Sequence, residues 1–150
     1  MQTSIHVNFS GQCEEAFRFY ERHLGGKIEV LLPYEATPVA KTVPADFHKK
    51  LVHARMNLGG NILMGCDAAC EHFEQPKGFS ISLQFKTARE AENAYQVLAD
   101  QGAVRMPLQE TFWAERFGMV VDRFGIPWMI NCEKAFTTSD CVGSREHAVA

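Results

Sequence analysis

The sequence predicts an α+β protein built from two βαβββ modules. Three observations predict it. Short alternating apolar–polar runs are interrupted twice by a helical period, the elements come in the same order in both halves, and the two helical segments share a register. Glu15, Ala16 and Tyr20 correspond to Glu90, Ala91 and Tyr95 at one constant offset, and Gly60 and Gly125 turn the last hairpin of each half.

Residues 4–10, "SIHVNFS", alternate, with Ile5, Val7 and Phe9 on one face and His6 and Asn8 on the other. The period then changes over "GQCEEAFRFYERHLGG". Ala16, Phe17, Phe19, Tyr20 and Leu24 make a helical stripe that reads as core, and Gly25-Gly26 supplies the stop. "KIEVLLPY" is a second strand, and residues 35–50, with Pro38 and Pro44, are a loop or lid. "LVHARMNL", Gly59-Gly60 and "NILMGC" read as a hairpin.

The second half repeats this order. In "FSISLQF", Phe79, Ile81, Leu83 and Phe85 oppose Ser80, Ser82 and Gln84. A helix starts at Thr87 and ends near Gly102, "VRMPLQETFW" is a broken strand and loop, and "GMVVD" and "IPWMINC" form the last hairpin. We expect one domain over residues 1–150, with module one at about 3–70, module two at about 78–134 and a loose tail at 135–150. The apolar strand faces, including Ile5, Val7, Phe9, Ile81, Leu83 and Phe85, are expected to bury against the helices. The polar faces then turn toward a shared concavity.

Composition excludes several classes. With 46% hydrophobic and 11% aromatic residues the chain can bury a core, so global disorder is excluded. A net charge of −3 and no basic cluster argue against nucleic acid. No apolar run is long enough to span a bilayer, and the opening residues lack the pattern of a secretory signal. Five scattered cysteines suit reduced thiols. A cytoplasmic protein is expected.

The stretches "GQCEEAFRFYERHLGGKIE" (11–29) and "QETFWAERFGMVVDRFGIPWMIN" (109–131) resemble the PhnB-like branch of the vicinal oxygen chelate superfamily, the glyoxalase/bleomycin-resistance/dioxygenase fold. The resemblance covers most of residues 4–133. It implies a cup between paired modules, and usually a homodimer, often with strands or modules exchanged. Metal enzymes of the superfamily carry four ligands, commonly His, Glu, His and Glu. The first position falls at Ile5 or His6, with His6 favoured because the apolar face runs through Ile5. The others fall at Met64, Ser80 and Met129. Thioethers and a hydroxyl are poor ligands for the divalent ions concerned. No cofactor is therefore expected, and a divalent metal is not supported by these positions.

The candidate site residues each carry a plainer reading beside the functional one. His6 is a general base or weak metal ligand, or a hydrogen-bonded strand histidine. Arg55, on the polar face of its strand with Asn57, is an anion clamp or a solvated side chain. Cys66 is a small wall or a modestly reactive thiol. With Cys70 and His72 it spells Cys-x-x-x-Cys-x-His, a spacing that lacks a fourth zinc ligand. Asn8, Ser80, Ser82, Gln84 and Asn131 are hydrogen-bonding anchors, and Met64 and Met129 a soft floor or simple core. Trp113, with Phe112 and Phe117, roofs the cup or packs an interface between modules or subunits. Glu110 replaces a missing carboxylate only if its loop folds inward.

A small-molecule binding or sequestering protein is the first expectation. A metal-dependent lyase, isomerase or dioxygenase using a non-standard site around His6 is the alternative, and a dimeric scaffold with a filled cup the third. A methyltransferase, a label some such proteins carry, is not expected. Gly25-Gly26 and Gly59-Gly60 end a helix and turn a hairpin, and no glycine-rich loop leads from strand to helix.

Overall fold

A computed structural model describes residues 1–135. The first module comprises β1 (Ile5–Phe9), α1 (Cys13–Leu24), β2 (Lys27–Pro33), β3 (Leu51–Leu58) and β4 (Asn61–Asp67). The second comprises β5 (Ile81–Gln84), α2 (Ala88–Ala99), β6 (Ala103–Gln109), β7 (Ala114–Val121) and β8 (Pro127–Glu133). Each forms its own four-stranded mixed sheet, β1-β4-β3-β2 and β5-β8-β7-β6, with the first strand of the module parallel to its last. The duplicated α+β architecture is therefore present, with matching strand order in the two halves.

Local chemistry explains the element ends. Thr87 and Glu90 form a reciprocal capping box at the start of α2. The start of α1 has no side-chain cap from its neighbour Gln12. Instead the buried Asp67, at the end of β4, accepts from Cys13 N–H at 2.9 Å and from Leu51 N–H at 2.8 Å. One carboxylate thus satisfies an orphan donor at the positive end of a helix and fixes the start of β3. Gly25 ends α1 at φ 73°. Gly59 and Gly60, at φ 60° and 86°, supply the two left-handed residues of the β3–β4 turn.

Residues 34–50 fold as three short 3-10 turns. They are pinned by a Tyr34–Phe47 aromatic contact, by the Tyr34 hydroxyl donating to the Asp67 carbonyl and by Lys50 Nζ donating to the Gly11 carbonyl. Of residues 104–113, expected as broken strand and loop, 104–109 belong to β6. Pro107 is tolerated because β6 is an outer strand, and register shifts on either side of Met106 record the interruption.

The core lies between sheets and helices. Val7, Phe9, Phe17, Tyr20, Met56, Leu98, Trp128 and Ile130 are buried, each worth roughly 1.5–3 kcal/mol when fully withdrawn from water. Gly65 admits the helix side chains, since a Cβ there would lie 2.9 Å from the Phe17 ring. The expected apolar faces are right in phase but not in depth. Ile5 is 40% and Phe79 44% exposed, and Leu83 and Phe85 are half-buried. The reason is position: β1 and β5 are outer strands, and Ile5, Leu83 and Phe85 look into a cleft beside them. The modules are joined by α1, whose Phe19 and Tyr20 pack edge-on against Phe124 and Trp128 of the second hairpin.

Candidate functional site

The strand registers fix which side chains share a face, because directly opposed residues point the same way. In the first sheet His6 lies opposite Met64 and Asn8 opposite Cys66, with Arg55 on the other side of Met64. In the second sheet Ser82 lies opposite Met129 and Gln84 opposite Asn131, flanked by Met119 and Phe117 of β7. The expected polar faces therefore exist. The residue related to His6 by the duplication is Ser82. Ser80, to which the third ligand position was carried over, precedes β5 and has no strand partner there.

A cleft of about 560 Å³ runs between the outer strands. Ile5, Leu58, Leu63, Ile81 and Phe85 give it apolar walls, and Ser82 and Gln84 bring polar groups. His6 and Asn8 open instead onto a neighbouring depression bounded by Gln75, Lys77 and Phe79 of the inter-module connector. The chain thus divides the candidate anchors between two adjacent concavities. The connector's contribution was not legible in the sequence, because residues 74–78 have no periodicity to place them.

The first-module cluster is neutral in character. His6 Nε2 lies 3.4 Å from Cys66 Sγ, and the Cys66 thiol donates to Asn8 Oδ1 at 3.3 Å. Partial burial pushes the His6 pKa down, a nearby His53 adds to this, and the Asn8 hydrogen bond opposes it. Burial, then the Asp67 charge, pushes the Cys66 thiol up. The pair rests as thiol and imidazole, without the thiolate an activated nucleophile requires. His53 was not singled out from sequence, although it alternates in phase with Arg55 and Asn57.

Two candidates change role. Arg55 is not a free anion clamp: its Nε donates to Glu29 Oε2 at 2.7 Å across the β2–β3 pair. Glu110 does not fold inward. It is exposed and meets Lys134 Nζ at 2.6 Å, and that hydrogen bond and charge hold its pKa down. In the Cys-x-x-x-Cys-x-His stretch, Cys66 meets His6 and Asn8, whereas the exposed His72 lies beside Glu71.

The positions to which the resemblance carries the metal ligands hold His6, Met64 and Met129, with Ser82 in register where Ser80 was expected. One imidazole, two thioethers and a hydroxyl do not fit a divalent ion that wants nitrogen and carboxylate donors. Among the described residues, no three His, Cys, Asp or Glu side chains converge as metal ligands do.

The second-module face is a hydrogen-bonded ladder beside an aromatic group. Asn131 Nδ2 donates to Gln84 Oε1 at 2.7 Å, and Gln84 Nε2 donates to Ser82 Oγ at 2.8 Å. Trp113 packs edge-on against Phe117 at 5.3 Å and against Phe112, which is 87% exposed, at 4.6 Å. The Trp113 carbonyl accepts from Lys134 N–H, tying this loop to the end of β8.

Comparison with known proteins bears on this geometry. A family model described as 3-demethylubiquinone-9 3-methyltransferase matches residues 1–131. Protein YjdN of Escherichia coli is 32% identical over 142 residues, which cover 89% of this chain and 97% of YjdN. The crystal structure of PA1353 from Pseudomonas aeruginosa superposes with a TM-score of 0.81 at 44% identity, over 90% of this chain and 99% of that one. A PhnB protein from Bacillus cereus, described as a putative 3-demethylubiquinone-9 3-methyltransferase, shares the fold at TM-score 0.75 and 24% identity, over 88% and 99% of the two chains. A glyoxylase/bleomycin resistance protein/dioxygenase domain from Frankia shares it at 0.57 and 15%, over 89% and 95%. The chain belongs to the family described as 3-demethylubiquinone-9 3-methyltransferase, and it shares its fold with glyoxalase/bleomycin-resistance/dioxygenase proteins.

Proposed function

We propose that this protein binds and sequesters a small molecule on the polar sheet faces, without the metal centre of its superfamily. The observation that carries this reading is the register pairing His6 with Met64 and Ser82 with Met129. Positions that would grip a cation instead present two soft thioethers, suited to the apolar body of an organic ligand. Ser82, Gln84 and Asn131 supply hydrogen bonds, and Trp113 and Phe117 an aromatic wall. Methyl transfer is not adopted. The strand-to-helix turns, residues 10–12 and 85–87, hold a single glycine, Gly11, where a nucleotide-type cofactor would need a glycine-rich loop.

A homodimer is part of the proposal. The two polar faces open onto separate concavities in one chain, and a second copy completes a cup by bringing the first-module face of one protomer to the second-module face of its partner. The exposed Phe112 suits such an interface. A cytoplasmic setting is proposed with it. No helix among the described residues is long and apolar enough to cross a membrane.

The test is native mass spectrometry of untagged protein. The expected result is a dimer carrying an extra organic mass that is lost on Ser82→Leu with Gln84→Leu. A monomer with no retained mass, and no binding from a metabolite extract, would contradict it. One observation favours a second reading, catalysis around His6: the 3.4 Å contact of its Nε2 with Cys66 Sγ. That reading requires one metal per chain, lost on His6→Ala.

A further inference from the structure

Asn131 is 7% exposed, and its Oδ1 is buried with no hydrogen-bond partner among the described residues. An orphaned buried carbonyl costs free energy that most folds avoid, so it calls for an explanation. The rest of the ladder is satisfied in one direction. Asn131 donates to Gln84, Gln84 donates to Ser82, and Ser82 Oγ, having accepted, keeps its own hydrogen to give away. An acceptor is therefore unpartnered at one end and a donor is free at the other, separated by roughly 7 Å along the strand direction at ~3.3 Å per residue.

Resting on the ligand-binding reading above, we infer that this ladder selects a neutral, planar ligand bearing an amide or lactam group. An amide places an N–H and a C=O side by side. The N–H meets Asn131 Oδ1, and the C=O can take the second Nδ2 hydrogen, which Gln84 leaves free. A further acceptor on the ligand meets the Ser82 hydroxyl. The flat body lies against Phe117, the cross-strand partner of Asn131, and against Trp113, which packs edge-on to that ring. Neutrality follows from the face itself, where Ser82, Gln84, Met129, Asn131, Met119 and Phe117 carry no charge. Turning both amides over would reverse the ladder and leave an orphan donor in place of the acceptor, so the proposal commits to the sense of the chain.

Benzamide and N,N-dimethylbenzamide share a ring and a carbonyl and differ in the N–H donor. Both are titrated into full-length ¹⁵N-labelled protein while the side-chain amides of Asn131 and Gln84 and the Trp113 indole N–H are followed by NMR. Benzamide is expected to shift all three signals and to bind about tenfold more tightly than its dimethyl analogue, the worth of roughly one hydrogen bond. Asn131→Leu is expected to abolish that preference, and the wild-type comparison stands even if this variant fails to fold. Equal affinities at the same three signals would overturn the donor requirement while leaving the ligand-binding reading intact. Shifts confined to residues around His6 and Cys66 would overturn the inference and move the binding face to the first module. No shift on either polar face would overturn both.

Discussion

The Tyr20 hydroxyl of α1 donates to Asp122 Oδ2 at 2.6 Å, joining the helix of the first module to the last hairpin of the second. Trp128 Nε1 donates to the same oxygen at 2.8 Å, and Oδ1 accepts from the backbone N–H of Phe124 and Ile126. Four donors thus converge on one carboxylate inside the aromatic contact between modules.

Removing one donor should loosen that joint without unfolding either module. Tyr20→Phe is expected to cost about 1–3 kcal/mol, the range for depriving a buried charged group of a partner. The check is the urea midpoint, followed by far-UV circular dichroism. A midpoint unchanged from wild type would mean that the modules are held by apolar packing alone.

Asp122 also sets a pH dependence. Burial raises its pKa above the ordinary value, and the hydrogen bonds only partly offset this. The folded state therefore holds the proton more tightly than the unfolded chain. The contribution to stability is greatest below the unfolded pKa, and it is lost as pH rises through the window up to the raised folded value. Asp122→Asn should flatten stability against pH in that window. An unchanged profile would assign the dependence elsewhere.

His6 should behave oppositely. Its folded pKa lies below the ordinary 6.5, chiefly through burial and then through His53. The unfolded chain takes up the proton first, so this contribution is present above pH 6.5 and is lost as pH falls toward the folded value. An NMR titration should place the His6 midpoint below 6.5, and His53→Gln should raise it. A midpoint above 6.5 would point to a nearby anion acting on the ring.

Much of this was legible in the sequence. Periodicity found both helices and the paired hairpins, because each depends on residues within a few positions of one another. Asp122 was not singled out, since its partner Tyr20 is 102 residues away. The same blindness to distance hid Glu29 behind Arg55 and Lys134 behind Glu110. His6 and Asn8 share one strand face and Ser82 and Gln84 another, as alternation predicts, but alternation carries no information on how two sheets meet. That is why the division between the Ser82 and His6 concavities emerged only in three dimensions. Of the tail expected at 135–150, residues 136–150, Cys141 among them, lie outside the described residues.

The Cys66 thiol is expected to be sluggish toward alkylation. Burial and the Asp67 charge raise its pKa above the ordinary thiol value. Iodoacetamide labelling resolved by peptide mass spectrometry should show Cys66 reacting more slowly than a free cysteine at pH 8. A rate already at its plateau below pH 8 would instead establish a thiolate beside His6 and favour catalysis.

The central claim is that this protein keeps the cup of its fold and not a metal. Its most direct test is a titration with Mn(II), Ni(II) and Zn(II), one at a time, of wild-type protein and the His6→Ala variant, with bound metal counted after desalting. The account predicts far less than one ion per chain for every metal, and no difference between the two proteins. One tightly held ion per chain, lost on His6→Ala, would contradict it and make His6 a ligand in a working metal centre.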